Sequence, residues 1–134
     1  MPSAQGAVAT YNKPVANKEW WATYFDAHYL LEYEPLFTLE RDRAEAARVI
    51  EVLGLPIGSR LLDVPCGQGR HAHLLAEAGF NVDGLDYSEH LLGIARRRGT
   101  SRHLRYTRGD MRKLPAKWSG RFDAVLNLFT SFGF

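Results

Sequence analysis

The stretch that decides the fold is Arg60-Leu61-Leu62-Asp63-Val64-Pro65-Cys66-Gly67-Gln68-Gly69-Arg70-His71-Ala72. A short apolar run ends in an acid, crosses a glycine-rich turn and opens into Leu74, Leu75, Ala76 and Ala78. That is the pattern of a buried strand, a tight loop and a helix, the first turn of an α/β nucleotide-binding unit. Gly67 and Gly69 let the backbone approach a ligand closely and take dihedrals closed to other residues. The free N–H groups at the start of the following helix then face that ligand.

A Gly-x-Gly-x-x-Ala pattern alone suits a dinucleotide equally well. The discriminating residue is Asp63, four positions before Gly67 at the carboxyl end of the predicted strand. A carboxylate there opposes a pyrophosphate but suits a ligand that carries an ammonium group. S-adenosylmethionine has an ammonium, a sulfonium and no phosphate. A second acid, Asp86, closes the next predicted strand, Asn81-Val82-Asp83-Gly84-Leu85-Asp86, 19 residues beyond Gly67. An acid at the end of the second strand accepts hydrogen bonds from ribose hydroxyls. A third, Asp110, follows the predicted third strand in Arg108-Gly109-Asp110-Met111.

With these blocks in order, the chain resembles the N-terminal part of a class I S-adenosylmethionine-dependent methyltransferase. The resemblance rests on Leu-Asp-Val-Pro-Cys-Gly-Gln-Gly-Arg-His at 62–71, Val-Asp-Gly-Leu-Asp-Tyr-Ser at 82–88, Arg-Gly-Asp-Met at 108–111 and Phe-Asp-Ala-Val-Leu-Asn-Leu-Phe-Thr-Ser-Phe-Gly at 122–133. Pro65 departs from it, standing where the family more often has glycine; proline fixes φ and removes one N–H donor. The implied fold is α/β, a Rossmann-like three-layer sandwich with a mostly parallel sheet in strand order 3-2-1-4. The family's sheet continues past a fourth strand, so the resemblance implies a domain truncated there, lacking the substrate-side half and showing little methyl transfer by itself.

Composition sets outer bounds. At 134 residues, 46% hydrophobic and 24% charged, the chain is expected to be one soluble globular domain. A single cysteine, Cys66, excludes an internal disulfide and favours a reducing cytoplasm. No run of about 18 apolar residues is present to span a membrane. A net charge of +2 is too small to imply a nucleic-acid partner.

In chain order, residues 1–17 are small and polar and are expected to be flexible. Residues 18–37 are aromatic; Trp21, Tyr24, Phe25 and His28 fall at i, i+3, i+4, i+7 on one helical face. They read as a helix packed on the core or as the lid over the cofactor that the resemblance implies. The partial methyltransferase domain is assigned to 38–134. There Thr38 caps a helix bearing Ala46, Val49, Ile50 and Leu53 that stops at Gly54. A helix from the glycine loop ends at Gly79, and another runs from its cap Ser88 to Gly99 with Leu91, Leu92 and Ala95 inward. Strands are expected at 60–64, 81–86, 103–106 and 122–128.

The resemblance assigns roles to the cofactor-binding candidates. Asp63 contacts the methionine ammonium, Cys66, Gly67 and Gly69 form the loop, and Asp86 holds the ribose. Tyr87 flanks the adenine, Asp110 accepts from its amino group and Met111 packs nearby. Arg70 either reaches the methionine carboxylate or is a solvated helix-start cation. Asn127, with Phe129, Thr130 and Ser131, faces the transferred methyl and the acceptor. No catalytic base stands out. His71 and His73 with Cys66 lack the converging ligands of a zinc site, and no metal is expected.

Residues 96–117 carry nine arginines and lysines against one acid, Asp110. Without interleaved aromatics beyond Tyr106 they read as a solvated surface rather than a nucleic-acid track. The expected partner is an unidentified small-molecule methyl acceptor. Two rivals are weighed: a dinucleotide-dependent oxidoreductase, opposed by Asp63 and the late first strand, and a non-catalytic binding or interaction module. The apolar fourth strand, bare on one side if the chain ends there, predicts a homo-oligomer paired through that edge.

Overall fold

The computed structural model describes residues 38–128. Helix α1 spans Leu39–Leu53, strand β1 Arg60–Asp63, helix α2 Arg70–Glu77, strand β2 Asn81–Asp86, helix α3 Glu89–Arg98, strand β3 Leu104–Arg108, and strand β4 Ala124–Leu126; a 3-10 turn covers Ala116–Trp118. The sheet runs β3-β2-β1-β4 and every pairing is parallel. Strand order therefore reverses between β2 and β4 on either side of β1, which opens a crevice at the carboxyl ends.

The helix boundaries follow local chemistry. Thr38 Oγ1 accepts the Arg41 N–H at 3.1 Å and starts α1, and Gly54 ends it at φ 61°. Ser88 Oγ accepts the Leu91 N–H at 3.2 Å to start α3, whose last turn carries Arg96, Arg97 and Arg98. Alternation along the strands then sorts side chains to two faces. Leu61, Val82, Leu104, Tyr106 and Leu126 join Ala46, Leu75, Leu92 and Ala95 in one cluster, so α1, α2 and α3 cover the same face. On the other face Leu62, Val64 and Leu85 are covered by Met111, Trp118 and Phe122. Among the described residues this second cover is the connection between β3 and β4, with a 3-10 turn and no α-helix, and Trp118 set edge-on to Phe122 at 5.5 Å.

Three expectations need correcting. Strand β1 ends at Asp63, one residue short of the expected span. Strand β3 begins and ends later than 103–106. Strand β4 has three residues instead of seven; at each end a side chain joins the main-chain bonds that run from Asp123 N–H to the Arg60 carbonyl at 2.8 Å and from Val64 N–H to the Leu126 carbonyl at 2.9 Å. Asp123 Oδ2 accepts the Arg60 N–H at 2.8 Å, and Asn127 Nδ2 donates to the Val64 carbonyl at 3.1 Å. Phe122, counted into the strand for its apolarity, instead packs on Trp118. Val125, in the strand expected to be bare on one side, is 59% exposed. The expectations for residues 1–37, Phe129, Thr130, Ser131, Phe132 and Phe134 lie outside the described residues.

Candidate functional site

The last residues of β1 and β2 are both acids. Alternation turns Asp63 and Asp86 to the face of Leu61 and Val82, toward the start of α2. The loop between β1 and α2 arches over them. The Gly69 N–H closes its turn on the Cys66 carbonyl at 3.1 Å, and the Cys66 N–H ties it to Leu85 at 3.0 Å. Both glycines have left-handed φ, 58° at Gly67 and 80° at Gly69. They differ in surroundings. A Cβ on Gly67 would meet nothing within 4 Å, so that residue borders open space, whereas one on Gly69 would lie 2.5 Å from the Tyr106 hydroxyl.

Asp86 joins the loop to the second strand. Its Oδ2 accepts the Gly67 N–H and its Oδ1 the Ser88 N–H, both at 2.8 Å, while its own carbonyl takes the Gly109 N–H at 2.9 Å. Burial pushes its pKa up against these donors, which hold it down. Asp63 has no such support. It is 2% exposed and its Oδ1 has no hydrogen-bond partner. Burial, then the negative charge of Asp86, raises its pKa to about 7, with the Arg70 guanidinium opposing. Cys66 is a buried free thiol, pushed well up by burial and by the two acids. A buried carboxylate oxygen without a partner, beside a second acid and with Arg70 as an opposing charge, thus stands at the head of the loop whose Gly67 borders open space.

The other candidates are placed separately. Tyr87 is 37% exposed and lies under the Arg108 guanidinium, 5.1 Å from the ring centroid. Asp110 is held below the usual carboxylate range by hydrogen bonds from Arg112, the closest at 2.6 Å. Met111 packs against the cluster of Leu62, Val64 and Leu85. Asn127 sits at the end of β4, bonded to Val64 beside Asp63. Arg70 is not the solvated cation of the alternative reading. It is buried, and its Nη1 lies 2.5 Å from Asp42 Oδ1 and 3.6 Å from Glu45 Oε1. The basic stretch is locally neutralised at several points, Arg96 by Glu89 at 3.0 Å and Arg105 by Asp83 at 3.0 Å. Among the described residues no three His, Cys, Asp or Glu side chains converge on a metal position.

Four residues escaped the sequence reading: Asp42, Glu45, His71 in its actual role, and Tyr106. His71 Nε2 lies 2.7 Å from Glu45 Oε1, fastening α2 to α1. A signal for Asp42 was present. It shares the stripe of Ala46, Val49 and Leu53 at i, i+4, i+7 and i+11, and an acid in an apolar stripe calls for a buried cation.

The methyltransferase domain family matches residues 61–134, more than half of the chain. The chain belongs to that family. It is a class I S-adenosylmethionine-dependent methyltransferase domain, with the parallel α/β sheet of that class. It is similar to the dTDP-3-amino-3,6-dideoxy-alpha-D-glucopyranose N,N-dimethyltransferase of Streptomyces fradiae, 42% identical over 78 residues, or 58% of this chain and 29% of that protein. The ubiquinone biosynthesis O-methyltransferase of Bordetella avium is 33% identical over 96 residues, 70% of this chain and 39% of that protein. The methyltransferase domain thus spans well under half the length of these relatives. In fold it is similar to the magnesium protoporphyrin IX methyltransferase of Synechocystis PCC 6803, solved with SAH bound. The TM-score is 0.66 at 22% identity, over 83% of this chain and 57% of that one. No helix among the described residues is long and apolar enough to cross a membrane.

Proposed function

We propose that this domain binds S-adenosylmethionine over the glycine loop and serves methyl transfer to a small molecule. One observation carries the reading: the orphaned, buried Oδ1 of Asp63, at the end of β1 where the loop begins whose Gly67 borders open space. A dinucleotide offers that acid a pyrophosphate, whereas S-adenosylmethionine offers an ammonium. In this reading Asp63 takes the ammonium, Gly67 and Gly69 pass close to the methionine portion, and Asp86 turns its remaining lone pairs to the ribose. Tyr87, Asp110 and Met111 border the adenine, and Asn127 borders the acceptor. Arg70, bound to Asp42, steadies the loop and helps keep Asp63 ionised. The cofactor supplies a methyl already activated on sulfur. The protein's part is alignment of the nucleophile behind that carbon, and such positioning contributes about 7–11 kcal/mol of barrier lowering. The relatives' names, an N,N-dimethyltransferase of a dTDP amino sugar and an O-methyltransferase of ubiquinone biosynthesis, support a small-molecule acceptor. A buried free thiol beside the site fits a reducing, cytoplasmic setting.

Calorimetric titration with S-adenosylmethionine, S-adenosylhomocysteine and NAD tests the cofactor class. Binding of the first two and not of NAD is the expected result; preference for NAD sinks the reading. In Asp86→Ala, cofactor affinity is expected to fall by about 1.5–3 kcal/mol, the range for losing a charged hydrogen-bond partner. Unchanged affinity removes Asp86 from the site.

The outer side of β4 has no paired strand among the described residues, and Val125 beside it is exposed. Such an edge pairs with another chain, so self-association of the 134-residue chain through β4 is part of the proposal. Light scattering should show it, and Val125→Lys should shift the distribution toward monomer. A wild type that stays monomeric at high concentration refutes it.

A further inference from the structure

Along β3 and the turn after it, Arg105 is matched by Asp83 at 3.0 Å and Arg112 by Asp110 at 2.6 Å. Arg108 stands between them and meets no acid among the described residues. Its contacts there fall on one residue, Tyr87. The Arg108 Nε donates to the Tyr87 carbonyl at 3.0 Å, and the guanidinium lies over the Tyr87 ring, 5.1 Å from its centroid.

The fold brings these two residues together at the cofactor end of the sheet. Arg108 is the parallel partner of Asp86, and the Gly109 N–H that follows it bonds the Asp86 carbonyl at 2.9 Å. Alternation along β3 sets Arg108 on the face of Leu104 and Tyr106, which α3 covers. Tyr87 lies at the entry to α3, directly before its cap Ser88. The Asp86 carboxylate spans Tyr87, its Oδ1 accepting the Ser88 N–H while its Oδ2 accepts the Gly67 N–H of the glycine loop, both at 2.8 Å. The backbone of Tyr87 is thus fixed between Asp86 and Arg108, and its ring is held by the guanidinium although the residue is 37% exposed. Arginine suits this double task. Its planar group donates to a carbonyl and stacks on a ring at once, which the point charge of lysine does not do.

We propose that Arg108 is a positioning residue for the cofactor. It sets the Tyr87 ring in the orientation against which the adenine stacks, in one frame with the Asp86 carboxylate that takes the ribose. This rests on the S-adenosylmethionine reading and adds to it the residue that shapes the base end of the site. Arg108 acts through Tyr87 and does not itself touch the cofactor. Ordering an exposed side chain during binding costs free energy, and a ring already held spares that cost. The guanidinium keeps its place because the face of the ring is electron-rich.

The test is calorimetric titration of the full chain with S-adenosylhomocysteine and with methylthioadenosine, which keeps base and ribose but lacks the amino-acid end. Arg108→Gln, Arg108→Lys, Tyr87→Leu and the Arg108→Gln/Tyr87→Leu double variant are compared with wild type. Arg108→Gln should weaken both ligands by the same factor, about two- to fivefold, the equivalent of one exposed cation–π contact. Arg108→Lys should weaken them too, since charge alone does not hold the ring. In the Tyr87→Leu background, Arg108→Gln should have no further effect. A loss confined to S-adenosylhomocysteine would mean that the guanidinium attracts the carboxylate of the amino-acid end. An undiminished effect in the Tyr87→Leu background would mean that it meets the cofactor directly. Either result overturns the proposal, as does wild-type affinity in Arg108→Gln or in Arg108→Lys. A wild type that binds neither ligand is a separate outcome, which takes down the S-adenosylmethionine reading and this proposal with it.

Discussion

Gly69→Ala is expected to destabilise the domain by about 2–5 kcal/mol. Two independent costs combine. Gly69 sits at φ 80° and ψ 20°, where an L side chain meets its own backbone at about 1–2 kcal/mol. The added Cβ would also lie 2.5 Å from the Tyr106 hydroxyl and 3.1 Å from Ala95 Cβ, and overpacking of this kind costs about 1–3 kcal/mol. Tyr106 has little room to yield, since its ring also fills the place of the missing Gly84 side chain, whose Cβ would lie 2.8 Å from Tyr106 Cδ1 and 2.9 Å from Cys66 Sγ. Denaturant unfolding separates the two costs. The Tyr106 hydroxyl is buried without a partner, so Tyr106→Phe alone should be neutral or mildly stabilising. In the Gly69→Ala/Tyr106→Phe double variant the steric cost should be largely recovered and the backbone cost should remain. A double variant as unstable as Gly69→Ala would show that the hydroxyl contact does not govern the loop. Because Gly69 is also the N-cap of α2, the single variant should weaken cofactor binding as well.

This arrangement also shows where the sequence was legible and where it stopped being so. Thr38, Gly54, Ser88 and Gly99 mark helix ends through their own backbone and side-chain chemistry, which is local, and all four stand where the pattern put them. Strand β2 is bounded by its acid and came out residue for residue. Strand β4 did not, because its ends depend on Asp123 and Asn127 reaching across to β1, a long-range choice that apolarity along the chain cannot report. The glycine loop and its acids were readable as residue types at a spacing. What lies beneath the loop was not: Tyr106 comes from β3, and only the three-dimensional register places its hydroxyl under Gly69. The Asp42–Arg70 and Glu45–His71 pairs were hidden for a different reason. Charged residues on a helix are ordinarily read as its outer face, and nothing adjacent in sequence marks the α2 side chain that receives them.

Asp63→Asn is expected to flatten the pH dependence of stability in the ligand-free protein and to raise stability above neutral pH. The folded pKa of Asp63 is about 7, above the ordinary carboxylate value of 3.8. Between those limits the native state binds the proton and the unfolded state has lost it. The contribution of Asp63 to stability is therefore greatest below pH 4, falls as pH rises toward 7 and is level beyond. Over that window the loss is on the order of 4 kcal/mol, with the raised pKa of Asp86 acting in the same direction. Asparagine keeps the shape and never ionises, so the difference between the two stability curves should open between pH 4 and 7 in favour of the variant and stay constant above. Cofactor binding reverses the balance. An ammonium against Oδ1 favours the carboxylate, so loading below pH 7 should release up to one proton, and affinity should rise by up to tenfold per pH unit before levelling near neutrality. Calorimetry at pH 6 in two buffers of different ionisation heat reads that proton directly. Asp63→Asn should bind weakly, with no proton released at this position, even though its unliganded fold is the more stable one. That opposition between stability and binding distinguishes a ligand-directed carboxylate from one that merely braces the loop. If the asparagine variant is less stable than wild type at pH 8, or binds the cofactor equally well, Asp63 belongs to the loop and not to the ligand.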